Sequence, residues 1–222
     1  MARVSRRNFI IGSSLLFSGP LAGQAVAAPK TQPSKFDIWD AQVRPEGYDP
    51  ATYNPWGFNS RFLPVRVEAK PNLVPGDIHV DAVARYLYHI EPGGTAMRYG
   101  VSIAKGDLYE PGVFRIGRKA KWPTWTPTAN MIRREPEVYG PLAGGMDGGP
   151  TNPLGSRALY LYEGGRDTYL RIHGTIYPKS IGGRASSGCV RMIMAHIIDL
   201  YENVSVGKTA YLYPPEERIG AA

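Results

Sequence analysis

The sequence contains a single cysteine, Cys189, and four histidines. One of these, His173, stands 16 positions upstream of the cysteine, and four glycines, three serines and one proline separate the two. A thiol and an imidazole joined by turn-forming residues are the parts of a nucleophilic acyl-transfer site. The thiolate is the attacking form, and a nearby imidazole can take its proton. The segment Tyr169-Leu170-Arg171-Ile172 reads as a strand that delivers His173, and a helical pattern follows Met192. Cys189 is therefore expected near a helix start, where the helix dipole would favour its ionised form. Gly188 would let the backbone approach a substrate carbonyl, and the N–H groups around Gly188 and Cys189 would form an oxyanion hole. The competing reading is an inert buried cysteine beside an unrelated loop histidine.

His173-Gly174-Thr175, Pro178, Ser180-Ile181-Gly182, Ser186 and Gly188-Cys189-Val190-Arg191-Met192 together resemble the signature of the L,D-transpeptidase catalytic domain (YkuD type). The resemblance runs from about Ile78 to Tyr213. It implies a bacterial enzyme that remodels peptidoglycan with a cysteine nucleophile. One position departs from the pattern: the family often has histidine just before the Gly-Cys pair, and here Ser187 stands there. The base role falls on His173. With no Asp or Asn in the motif, the resemblance assigns the orientation of the imidazole to the Gly174 carbonyl. It also implies that Thr175, Arg191 and Trp125 face the substrate. Arg191 would hold a carboxylate, or else brace the cysteine loop through a salt bridge.

Strand signals dominate the chain that must position these groups. Ile78–Asp81 is strand-like, and residues 84–104 read as a hairpin about the turn Glu91-Pro92-Gly93-Gly94. Further short strands are expected after Pro111, at 158–162, at 168–172 and at 209–213. Residues 193–203 read as a helix with Ile193, Ile197, Leu200 and Tyr201 on one apolar face. The sum is a mainly β domain, a sandwich or partly closed barrel, with one main helix after the cysteine. The resemblance implies the same type of fold. Two tryptophans fenced by prolines, Trp122 and Trp125, form either a wall of a substrate cleft or a packing loop. Residues 131–137 suggest a short helical turn with Arg133 and Arg134 exposed. Residues 140–155 carry six glycines and three prolines and read as a lid-like loop. His79 and His89 are expected at the strand surface, and His196 on a helix face.

Ser5-Arg6-Arg7-Asn8-Phe9-Ile10 is a twin-arginine pattern, followed by an interrupted apolar run and the small-residue site Ala25-Val26-Ala27. Residues 1–28 therefore read as an export signal, too short and too broken to span a membrane. The expected location is the periplasm or cell envelope. The formal charge is +7, but the signal carries three of the 26 basic residues and none of the 19 acidic ones. What remains is mildly and evenly basic, without the Lys/Arg runs of a nucleic-acid binder. Residues 29–75 are rich in proline and aromatics and read as an irregular N-terminal arm packed on a catalytic domain at 76–215; residues 216–222 are a tail.

By the resemblance, the donor is a stem tetrapeptide of peptidoglycan. Cys189 attacks the carbonyl that joins the third residue, commonly diaminopimelate, to the terminal D-alanine. An amine from a second stem or from an envelope protein captures the thioester; water as acceptor would make the protein an L,D-carboxypeptidase. No metal and no organic cofactor are expected, because one cysteine and scattered histidines do not make a zinc site. Two other classes are a wall-binding module without turnover and a thiol redox protein. The lack of a second cysteine disfavours disulfide exchange within the chain.

Overall fold

A computed structural model describes residues 32–215. The export signal at 1–28 and the tail at 216–222 lie outside the described residues. Within them the chain runs α1 (Lys35–Val43), β1 (Val65–Glu68), β2 (Ile78–Asp81), β3 (Tyr86–Glu91), β4 (Thr95–Gly100), β5 (Ile103–Ala104) and β6 (Gly112–Lys121). Then come α2 (Ala129–Arg134), α3 (Pro136–Tyr139), β7 (Arg157–Glu163), β8 (Arg166–Thr175), β9 (Arg184–Ser186), β10 (Val190–Ile193), α4 (Met194–Asn203) and β11 (Thr209–Leu212).

The fold is mainly β, and α4 follows the cysteine as expected. The strands do not close. Nine of them form one mixed sheet in the order β1-β4-β3-β2-β11-β6-β7-β8-β10, and β5 pairs with β9 in a separate two-stranded ribbon. Two neighbouring pairs are parallel, β2 with β11 and β8 with β10. A parallel pair cannot be joined by a tight turn and needs a crossover of a dozen or more residues. Residues 176–189, most of the glycine-rich stretch, are that crossover. It is held by β5/β9 and by hydrogen bonds from Gly182 N–H to the Val101 carbonyl (2.9 Å) and from Lys105 N–H to the Ser186 carbonyl (3.1 Å).

The main core lies between the sheet and α4. Ile172, Val190, Met192, Leu159 and Leu161 meet Ile197, Leu200 and Val204, all buried. Lys119 on β6 closes the end of α4 by donating to the carbonyls of Tyr201 and Val204, both at 2.5 Å. This is the favourable place for a cation at a helix C-terminus. His196 is wholly buried on α4, packed near Phe58 and Tyr99, and neither ring nitrogen has a partner. Burial alone pushes its imidazole down to about 3, so it is a neutral core residue. His79 and His89 are also buried rather than at the surface. Uncharged imidazole tolerates an apolar setting, which strand alternation does not reveal.

The arm is more regular than its prolines suggest. Ser34 caps α1, its side chain accepting from Asp37 N–H while the Asp37 carboxylate accepts from Ser34 N–H. This reciprocal capping starts a helix between Pro33 and Pro45. Beyond it, β1 joins the main sheet as an edge strand against β4. Phe62 is 5% exposed, and its place explains two glycines: a Cβ on Gly100 or Gly182 would stand 2.4 or 2.3 Å from it. The arm thus wedges against the crossover. Tyr48, Trp56 and Phe58 pack around the same cluster.

A second link is ionic. Arg157 on β7 is buried, its side chain 2% exposed, and both of its terminal nitrogens meet the Asp40 carboxylate of α1, at 2.8 and 2.5 Å. Trp122 Nε1–H donates to the same carboxylate at 2.9 Å. Removing one partner of a buried pair leaves an uncompensated charge, at a cost of about 3–5 kcal/mol. Asp40→Ala is therefore expected to lower unfolding stability by that amount in urea titration, with Asp40→Asn intermediate. Unchanged stability would show that the arm is not part of the folded unit.

Candidate active site

The crossover returns the chain so that Arg191 pairs with His173 and Val190 with Ile172. His173, Ser187, Gly188, Cys189 and Arg191 consequently line one cavity of about 1110 Å³, with Trp125 on its wall. Gly174 lies behind His173: its carbonyl takes a hydrogen bond from His173 Nδ1 at 2.5 Å. A carbonyl only accepts, so Nδ1 carries the proton and Nε2 is the basic nitrogen. Thr175 is not at the cavity. It is buried, and its hydroxyl accepts from Tyr177 N–H at 3.1 Å to hold the turn out of β8.

The imidazole is seated by backbone packed on backbone. Gly155 has φ +64°, and a Cβ there would stand 2.9 Å from the Gly174 carbonyl carbon; a Cβ on Gly174 would stand 3.1 Å from Ser156 N. Asn152, wholly buried, shapes the approach by accepting from Leu154 N–H at 2.9 Å. Asn152-Pro153-Leu154-Gly155 and His173-Gly174 thus form one close contact, in which a side chain at Gly155 would force the backbone apart and one at Gly174 would make its neighbours give.

Cys189 is half-buried. Its thiol donates to the Tyr169 carbonyl at 3.8 Å. Tyr169 sits at φ +62°, where the β7/β8 register shifts. From its residue types alone this segment reads as plain strand. The irregularity re-aims a carbonyl at the sulfur, a common use of a bulge beside a site. Gly188 has φ +147°, while a Cβ there would meet nothing nearer than 3.7 Å. Conformation, not crowding, therefore calls for glycine. Gly188 N–H faces Ser186 Oγ at 3.4 Å, and Ser186 Oγ in turn donates to the Cys189 carbonyl. The donor expected for an oxyanion hole is thus directed at a serine in this state.

The electrostatics favour a neutral pair. Burial, then the Arg191 guanidinium, pushes His173 down to about 3, against the opposing pull of the Gly174 and Leu154 carbonyls. Burial also pushes the Cys189 thiol up, against the backbone N–H of Arg171 and the charges of Arg171 and Arg191. The expected helix dipole is out of reach: β10 follows the cysteine and α4 begins only at Met194. Arg191 lacks a carboxylate partner among the described residues, and its buried Nε has no hydrogen bond, so the salt-bridge reading of this residue does not hold.

The two tryptophans divide. Trp125 is on the cavity wall, bridged to Met146 of the 140–155 loop by two backbone hydrogen bonds of 2.9 and 2.7 Å. Trp122 has φ +42°, is buried, and packs edge-on against Trp39 of α1. Leu142, Met146 and Pro153 carry the 140–155 loop to the cavity. Tyr139, which no sequence signal marks, shares a hydrogen bond with Ser187 Oγ at 3.2 Å and lies edge-on to Trp125. The Ser187 hydroxyl thereby reaches across the cleft to the segment before the loop.

A family model described as the L,D-transpeptidase catalytic domain, YkuD, matches residues 75–212. The chain is 36% identical over 141 residues to the probable L,D-transpeptidase YbiS of Escherichia coli K12, covering 62% of this chain and 44% of that one. It thus spans less than half the length of that relative. It is 34% identical over 140 residues to a putative L,D-transpeptidase encoded in the ATP synthase subunits region of Fuscovulum blasticum, covering 62% of this chain and 67% of that one. A solved chain from Brucella melitensis, described as a probable carnitine operon oxidoreductase caia, shares 48% identity over 67% of this chain and 91% of its own, with a TM-score of 0.48.

The neutral pair has a kinetic signature. With the thiol raised and the imidazole lowered, alkylation of Cys189 by iodoacetamide should climb about tenfold per pH unit from about pH 6 to about pH 9. No plateau is expected there, because His173 stays uncharged throughout that range. A plateau starting below pH 6 would reveal a preformed thiolate–imidazolium pair instead.

Proposed function

Because the chain belongs to the L,D-transpeptidase catalytic domain family, we propose that it is an exported acyltransferase that opens peptidoglycan stem peptides through a thioester on Cys189. The observation that carries this reading is the shared cavity: His173 and Cys189 line it with the unpaired Arg191, on strands whose register holds the three together. A tetrapeptide donor enters with its terminal carboxylate on Arg191. Sulfur bonds to the carbonyl carbon of the third residue while His173 Nε2 accepts the thiol proton. The tetrahedral intermediate collapses, the C–N bond breaks, and the imidazolium returns the proton to the departing D-alanine amine. An amine then attacks the thioester, giving a cross-link to a second stem or attachment of an envelope protein; water in its place gives hydrolysis.

The donor also completes the base. Arg191 is the second cause of the low proton affinity of His173. A carboxylate seated on Arg191 offsets that repulsion and raises the proton affinity of the ring, while burial, the larger cause, still opposes its charged form. The free protein holds a protonated thiol, and substrate binding makes it reactive.

Two experiments test this function. Mature protein incubated with tetrapeptide donors should release D-alanine and show an acyl adduct by mass spectrometry. Cys189→Ala should abolish both while remaining folded, and His173→Ala should slow release by about 10²–10⁴-fold, the usual worth of positioned proton transfer. Release at the wild-type rate from Cys189→Ala would refute the thioester route. For export, replacing Arg6 and Arg7 by lysine should leave unprocessed precursor in the cytoplasm; normal processing would point to the general secretory route.

A further inference from the structure

Arg191 is not the only unpaired guanidinium in the cavity. Arg118 also lines it and is exposed, and its side chain makes no hydrogen bond or ion pair among the described residues. Its position follows from the sheet. Arg118 on β6 stands opposite Tyr160 on β7, and Tyr160 stands opposite Arg171 on β8. Carrying the β8/β10 register one residue further places Arg171 opposite Cys189. The four residues form one row across neighbouring strands, ending at the nucleophile.

Both guanidiniums in this row stack on Tyr160, Arg118 at 3.7 Å and Arg171 at 4.1 Å from its ring centroid. Their charges are used differently. Arg171 is engaged by the Asp167 carboxylate through two hydrogen bonds, at 2.6 and 2.8 Å. Arg118 has the same aromatic support and no carboxylate. Stacking fixes the plane of a guanidinium while leaving its N–H edge free for a planar, bidentate anion. Strands lie about 4.8 Å apart, so Arg118 is three steps, or roughly 14 Å, from Cys189, and a carboxylate held about 4 Å to the near side of its guanidinium comes within roughly 10 Å of the sulfur.

We propose that Arg118, held on Tyr160, is a second anion subsite that takes a carboxylate of the donor peptide roughly 10 Å from the carbonyl attacked by Cys189. This rests on the acyl-transfer reading above and deepens it. Two carboxylates on an acidic peptide meet the distance: one at the end of a long side chain on the acylated residue, or one on the residue before it. Arg191 is the partner assigned to the terminal carboxylate and is not available for a second one. The cleft then reads a donor at two anionic points, the terminal carboxylate and an internal one.

The test uses three tetrapeptide donors: both internal carboxylates free, the second-residue carboxylate amidated, or the third-residue carboxylate amidated. For the wild type, one of the two amidations should raise KM about tenfold with little change in kcat, and which one identifies the source of the anion. In Arg118→Met, whose chain still covers Tyr160, that donor and the free-acid donor should be used equally well, and Arg118→Lys should restore part of the preference. Equal acid-to-amide ratios in wild type and Arg118→Met for both donors would overturn the subsite. Binding to Cys189→Ala protein, with and without Arg118→Met, gives a readout that needs no turnover. A charge-dependent difference of about tenfold in Kd, together with no D-alanine release by the wild type, would keep the subsite and refute the reaction. Binding of neither donor would refute both. Should Arg118→Met fail to fold, judged by near-ultraviolet circular dichroism, the lysine variant carries the comparison. There, a preference for the free acid identical to wild type in both KM and Kd counts against bidentate recognition by the guanidinium.

Discussion

The parallel pairing of β8 with β10 is the constraint on which the site depends. Two parallel neighbours cannot be closed by a hairpin, so the chain must leave one strand and travel back before starting the next. That return path separates His173 from Cys189 in sequence and brings them together in space. It also sets their surroundings. The register puts Arg191 opposite His173, which places a positive charge where it weakens the proton affinity of the ring. The path is pinned at several points, by the β5/β9 ribbon, by Gly182 against Val101 and by Phe62 against Gly182. Each pin uses residues outside the motif. The reactive geometry is a property of the sheet and the arm together.

The arm reaches the other side of the cleft as well. Asp40 engages Arg157 and Trp122 at once. Trp122 is the residue whose backbone Gly148 abuts: a Cβ on Gly148 would stand 1.8 Å from the Trp122 carbonyl oxygen. From α1 the contact therefore passes through Trp122 to the glycine-rich loop, and that loop joins Trp125 at Met146. Arg44, just beyond α1, pairs with Asp199 and Glu202 on α4. The segment that composition marks as an irregular packed arm is a strap between the helix behind the sheet and the wall in front of it.

Much of this was legible in the sequence because it follows local periodicity. The 84–104 hairpin alternates cleanly about Pro92-Gly93-Gly94, and α4 shows its apolar face at Ile197 and Leu200. The motif also identified the thiol, the imidazole, the orienting carbonyl and Arg191 as neighbours. What was hidden depends on contacts distant in sequence. Strand alternation does not state strand order, so a single open sheet was not distinguishable from a sandwich or barrel. The capping pair Ser34 and Asp37 was readable, but the prolines on either side of α1 outweighed it. Trp122 and Trp125 look equivalent in sequence, yet the positive φ of the first turns it inward. Thr175 sits beside the site in sequence, but its hydroxyl is turned to Tyr177 N–H and away from the cavity lining. The Tyr169 carbonyl that faces the thiol comes from a register shift that no residue type announces.

The protonated state of Cys189 has a consequence for durability outside catalysis. Oxidants attack the thiolate, and the first product, a sulfenic acid, is normally rescued by a neighbouring thiol. This chain has no second cysteine to supply one, so continued oxidation would run on to sulfinic acid and end the life of the molecule. A sulfur kept as thiol by burial and by the Tyr169 carbonyl is a poor target while the cleft is empty. The burial that raises the thiol therefore also acts as chemical shelter for a residue that no other cysteine of this sequence can repair.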